Sequence, residues 1–349
     1  MATPAPDRRL GIVCTQEEWE ASQVRFPSIH CLSRGDTIGL TLRTACGFLS
    51  FIAVLLLFFV LARNMIRRLR LPEPPQIFMI TLFTFDAMLA WGRVVDAKWI
   101  GKGSIIVGGF CTMEGGIETM GEAGGAMTTI VISVYTFLAV WARQKLESKW
   151  VAMGIVTMIY LYNAIFFAVA VTRNTNFEAP TPNWCWIGPR YNSERVAGEY
   201  FWLWLALGVS IALYIPLWLW KRGNITIDDH KWWSFELHRQ REYRSLRSMD
   251  MLAYPIVYSI CVLPLSITRW IQFYHPGRTP PAALSFLFSS FFSLNGLFNV
   301  ILFLYTRPDL IRAQSRERSG ATDRGAPPSP VSSSCDNSLR EMDDHGYPP

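Results

Sequence analysis

Residues 111–125 read CTMEGGIETMGEAGG, with Glu114, Glu118 and Glu122 four positions apart. On an α-helix four residues turn about 400°, so the three carboxyls fall within an arc of roughly 80°. One helix face is therefore acidic, and the downstream TTIVISVYTFLAV is apolar enough to continue it through a bilayer. Inside apolar runs stand further charges: Asp86, Arg93, Asp96, Glu199 and Arg269. A charge at bilayer depth costs on the order of 2.5–3.5 kcal/mol, so such residues face partners or a water-filled cavity. Arg93, Glu114 and Arg269 sit at comparable depth in their runs and are expected to form a polar cluster. Two readings stand side by side. One is a salt-bridge network that holds helices together. The other is a polar ligand pocket built on Arg93, Glu114, Glu118, Glu122 and Arg269. Its aromatic walls would come from Trp99, Trp184, Trp186, Tyr200, Trp202, Trp270 and Tyr274, which equally suit an interfacial belt. Asp86, nearer mid-span, fits packing or switching better than ligand contact.

The elements that must position these residues follow from hydropathy. Half the chain is hydrophobic and only 17% is charged, against about 25% in ordinary soluble domains. Seven runs near the 20-residue bilayer-crossing length are predicted at 38–62, 76–97, 105–141, 150–172, 198–221, 250–274 and 282–306. The fold class is thus an all-α seven-helix membrane bundle. A 1–37 outer segment precedes it, and a short interfacial helix (307–318) and a disordered tail (319–349) follow. Nineteen Lys and Arg flank the spans on one side and ten on the other. That bias puts the N-terminus outside and the C-terminus in the cytoplasm. The charge of +6 is dispersed between spans, a pattern that speaks against nucleic acid and for membrane lipid. Residues 1–37 hold no apolar signal-type run, so the first span is expected to direct insertion.

Of seven cysteines, Cys111 and Cys185 are placed at the outer face, where an oxidising compartment favours a disulfide. Cys14 and Cys31 are a second candidate pair. Cys46 and Cys261 lie within spans and are expected to pack. Seven glycines between Gly108 and Gly125 imply close helix approach.

Several motifs, taken in order, resemble the fungal family of glucose-receptor and cAMP-receptor-like seven-helix G-protein-coupled receptors. They are Cys111 with the Gly/Glu-rich third span, NWCWI at 183–187, YPIVYSICVLPLSITRW in span six and LNGLFNVILFLYTRP in span seven. The resemblance covers about residues 38–308. It implies an outward ligand pocket, a Cys111–Cys185 bridge, a plasma-membrane location and a heterotrimeric G-protein partner acting toward cAMP. It leaves the ligand open, a nutrient or other small polar molecule being in keeping, and is compatible with a dimer. Two departures matter. Span three ends YTFLAVWARQKL without Asp-Arg-Tyr, and span seven carries Asn295 and Asn299 without Asn-Pro-x-x-Tyr. Rhodopsin-like switch residues therefore do not transfer. Arg143 is the nearest basic residue at the inner end of span three. Pro255 and Pro264 mark span six as the bending element. Arg239, Arg241 and Arg244, in the long inner loop, would face the G protein or simply set topology.

The same residues bear on two other functional classes. The acid ladder would also suit a retinal-free proton or ion pathway. Retinal itself requires a Schiff-base lysine, and residues 282–306 contain none. An enzyme has little material: the five histidines all lie outside the spans, and no catalytic residue, metal or cofactor is expected.

Overall fold

A computed structural model describes residues 8–24, 27–68, 72–141, 148–181, 183–221, 225–227, 235–237, 253–274 and 281–306. Arg143, Arg239, Arg241, Arg244, the 307–318 helix and the 319–349 tail lie outside them, as do the side chains of Pro255 and Tyr274.

After a 3-10 turn at Arg8–Leu10, the elements run α1 (Gln16–Ser22), β1 (Ile29–Cys31), α2 (Arg34–Arg68), α3 (Pro74–Val95), α4 (Ala97–Lys102), β2 (Ser104–Ile106), α5 (Gly109–Val140), α6 (Lys149–Arg173), β3 (Glu178–Pro180) and β4 (Cys185–Ile187). There follow α7 (Asn192–Arg195), α8 (Phe201–Lys221), β5 (Ile225–Ile227), β6 (Phe235–Leu237), α9 (Ala253–Tyr274), α10 (Ala282–Ser293) and α11 (Asn295–Thr306). Six helical stretches are long and apolar enough to cross a membrane: 34–64, 74–102, 109–140, 149–173, 192–220 and 282–306. Helix α9 adds a shorter apolar stretch, Ser259–Ile271. The chain is a membrane-type helical bundle. Helices prevail because hydrocarbon offers the backbone no other hydrogen-bond partner. Leu161, Ile165 and Met158 of α6 stand exposed, as a lipid-facing helix requires.

The boundaries depart from the sequence reading in four places. The first span begins at Arg34, where Ser33 and Asp36 exchange capping hydrogen bonds of 3.2 and 3.0 Å. The third begins at Gly109, because residues 104–106 pair with 29–31 in a two-stranded antiparallel sheet. The fifth is preceded by α7 and a π-helical stretch, Val196–Tyr200. The seventh is two helices broken at Leu294.

Glycines set the spacing of α3 and α5. A Cβ at Gly121 would lie 2.8 Å from the backbone nitrogen of Leu89. One at Gly124 would enter the Phe85 ring, and one at Gly92 would meet Glu118 Cγ. The two helices therefore interlock through small residues on both partners. Among the seven glycines of α5 and its lead-in, Gly108, Gly109 and Gly125 meet nothing within 4 Å, so close approach explains only part of the set.

Both expected disulfides are present at one end of the bundle: Cys14–Cys31 and Cys111–Cys185. The first ties the start of the chain to β1. The second fixes β4 to the first turn of α5, so the β3–β4 hairpin lies across the helix ends. Cys46 and Cys261 are free.

Candidate functional site

Beneath the hairpin lies a concentration of buried charge. Arg43, Arg93, Arg195 and Arg269 share this end with Asp96, Glu114, Glu118, Glu122, Glu178 and Glu199, all 8% exposed or less. Burial of so many charges is tolerated only through pairing.

Arg43 is the hub. Its side chain donates to both Glu118 oxygens at 2.8 Å, to Asp96 and, through Nε, to Ser289 Oγ at 3.0 Å. Its guanidinium carbon sits 4.2 Å from the Trp184 ring centre. One residue of α2 thus joins α3, α5, α10 and the hairpin. Arg93 reaches Glu118 at 2.5 Å and also donates to Glu122. Glu114 accepts the Trp99 indole N–H and the backbone N–H of Cys185, the latter at 3.3 Å. Glu199 accepts the Trp186 indole N–H at 2.6 Å.

The spare acids meet one another. Asp96 lies beside Glu114, and Glu122 beside Glu199. Oxygens of Asp96, Glu114 and Glu118 gather within 4.8 Å, but Arg43 donates to two of the three. Its guanidinium stands where a cation would, so the donor set does not fit a metal.

The roof is aromatic. Arg269 lies 4.7 Å from the Trp184 ring centre and 5.0 Å from that of Trp186. Arg195 covers Trp186 at 4.5 Å and donates to the Ile187 carbonyl at 2.8 and 2.6 Å. Tyr200 meets Trp186 edge-on at 5.7 Å. Trp99, Trp184 and Trp186 are buried, not a lipid-facing belt. Between roof and ion pairs lies a cavity of 20 Å³, lined by Arg93, Glu118, Glu122, Glu199, Tyr200 and Arg269 among others. That holds about one water.

Of the residues read from sequence, Arg93, Glu118, Glu122, Trp186, Tyr200 and Arg269 border this cavity. Glu114 sits beside it on Asp96, Trp99 and the hairpin backbone. Tyr274 ends α9, its side chain outside the description. Asp86, Asn295 and Asn299 meet elsewhere: the two amides donate to Asp86 at 2.9 and 2.8 Å. Ser50 caps the same helix break by accepting from Leu297 N at 3.1 Å. Pro264 lies inside α9. Arg43, Arg195 and Glu178 were missed. Arg43 carried a signal, being a lone cation in an apolar run; Glu178 and Arg195 lie in the connection between two spans and carried none.

No protein-family model matches the chain, and no curated protein matches it.

Proposed function

We propose that the protein is a seven-span receptor, with α9 as a crossing helix, the hairpin end outside and a heterotrimeric G protein engaged at the opposite face. The observation that carries this reading is the contact of Arg269 with Trp184 and Trp186. It joins a proline-containing helix to a hairpin fixed on α5 by Cys111–Cys185. A polar ligand that enters beneath the hairpin competes for those ring faces and for the carboxyls of Glu118, Glu122 and Glu199. Its binding energy then shifts α9 relative to α5. The 20 Å³ cavity is a closed state, and ligand entry requires the hairpin to lift. Signalling toward cAMP and a nutrient or other small polar ligand belong to the same reading.

The test is a ligand screen on cells that display the protein, read by G-protein activation. Arg269→Ala and Glu118→Ala are expected to abolish the response at unchanged surface level. Full response in both removes the pocket.

One observation favours a second reading, a retinal-free proton pathway: the carboxyl contacts Asp96–Glu114 and Glu122–Glu199. Deeper along α5, however, Thr128, Thr129, Ser133 and Thr136 return their hydroxyls to carbonyls four residues back. Proton flux in proteoliposomes without any G protein would favour the pathway over the receptor.

A further inference from the structure

Glu178 opens strand β3 and is fully buried, yet neither of its carboxyl oxygens has a hydrogen-bond partner. It occupies a slot left by glycine: a Cβ at Gly115 would collide with Glu178 Oε2 and lie 2.7 Å from its Cδ. Gly115 stands one helical turn from Cys111, the bridge to β4. The hairpin is therefore held to α5 at two neighbouring points. One is covalent; the other is a carboxyl pressed against bare backbone.

A carboxylate without partners in such a place is strongly disfavoured, whereas a neutral acid is tolerated. Burial pushes the Glu178 pKa well above the usual carboxylate range, and the nearby negative charge of Glu118 raises it further. Arg195 opposes both through its charge, and its Nε and Nη2 donate to the Ile187 carbonyl. Other charged groups face the hairpin too: Arg43 and Arg269 lie over the Trp184 ring, and Glu199 accepts the Trp186 indole N–H. Glu114 on α5 holds the Cys185 N–H, and His30 on β1 is hydrogen-bonded to Asn183. Strands β2 and β4 bring no titratable side chain besides the bridged Cys185.

We infer that strands β3 and β4 form a proton-dependent lid: docking on α5 requires Glu178 to be protonated, and loss of that proton releases the hairpin and opens the cavity it roofs. The sign follows from linkage. Released into water, Glu178 gives up its proton above about pH 4.3; docked, it keeps the proton. Docking is thus full at lower pH and weakens about tenfold per pH unit above that point, until the docked acid itself ionises. The lid's regulatory meaning rests on the receptor reading, since it controls access to the same cavity. Its mechanics do not.

The experiment is hydrogen exchange of the full chain in lipid nanodiscs, without agonist, from pH 5 to 8. Opening of segments 178–181 and 183–187 is compared between wild type and Glu178→Gln at each pH, so intrinsic exchange chemistry cancels. The wild-type to variant ratio is expected to rise about tenfold per pH unit, with segment 149–173 unchanged. Glu178→Leu, which also cannot ionise, serves as reference if the glutamine variant fails to fold. A ratio flat across the range overturns the lid. Failure of the G-protein assay leaves the exchange result intact, so the two ideas fail separately.

Discussion

Arg43→Met removes the hub of the buried network while keeping an apolar side chain of similar reach. The native guanidinium serves Asp96, Glu118 and Ser289 and covers Trp184. Glu118 retains Arg93 at 2.5 Å. Asp96 does not fare as well: its Oδ1 already lacks a hydrogen-bond partner, Glu114 beside it is an acid, and Arg93 is left to act on it through charge. Removing one member of a buried ion pair costs about 3–5 kcal/mol, and loss of the ring contact adds about 0.5–2 kcal/mol. Methionine recovers part of this through apolar burial, so the net loss is on the order of 4 kcal/mol. At about 2 °C per kcal/mol for a chain of this size, the midpoint falls by roughly 8 °C. The assay is thermal unfolding of the purified chain in detergent, followed by near-UV circular dichroism. Asp96→Asn added to Arg43→Met is expected to restore half of the loss or more, because the stranded charge is gone; contacting residues couple by about 0.5–3 kcal/mol. A single variant within about 1 °C of wild type, or a double variant whose losses simply add, refutes the hub.

Three further outcomes follow from the same packing. Gly121→Ala places a Cβ 2.8 Å from the Leu89 backbone nitrogen and is expected to cost about 1–3 kcal/mol, whereas Gly125→Ala, with nothing within 4 Å, gains up to about 1 kcal/mol by thermal melt. Cys185→Ser opens a bridge that spans 74 residues, which costs about 4 kcal/mol on loop entropy, and is expected to raise hydrogen exchange selectively in segment 183–187. Burial pushes the His30 pKa down, against the opposing pull of Asp36 and Asn183. Docking of β1 is therefore fully stable above about pH 6.5 and weakens below it, as the released histidine gains a proton. Exchange at Ile29–Cys31 should rise on acidification, and His30→Gln should flatten that rise.

Six of the seven predicted spans were legible because a bilayer-length apolar run has few competing interpretations; the apolar stretch of α9 is shorter. The acid ladder was legible because helical spacing converts directly into a face, and α5 presents Glu114, Glu118 and Glu122 inward as the spacing requires. What stayed hidden was non-local. Arg43 sits in RTACGFLSFIAVLLL, where the length of the run masks one cation at its start. Glu178 looked like an ordinary loop acid, and only the bare backbone at Gly115, more than sixty positions away, makes its burial feasible. The break at Leu294 has no proline or glycine before it. It arises because Asn295 and Asn299 are drawn to Asp86, a partner over two hundred residues distant. The pairing of β1 with β2 was just as hidden, since three-residue strands carry no periodicity.

The two kinds of contact around the cavity differ in what motion they allow. Helices α2, α3, α5 and α10 are joined through Arg43 and Arg93 by directional ion pairs, and α3 is joined to α11 through Asp86. Displacing any of these by an ångström breaks charge-assisted bonds in a dry interior, at about 3–5 kcal/mol each. Helix α9 meets the hairpin through the faces of Trp184 and Trp186. Such contacts are worth about 0.5–2 kcal/mol and depend weakly on sideways sliding. Pro264 lies one turn and a half from Arg269 along the same helix and leaves the carbonyl of Ile260 without its backbone donor. A shift of α9 therefore leaves the ion pairs of Arg43 and Arg93 intact while it changes the contacts of Arg269 with Trp184 and Trp186. A guest that takes over those ring faces competes with about 0.5–2 kcal/mol for each.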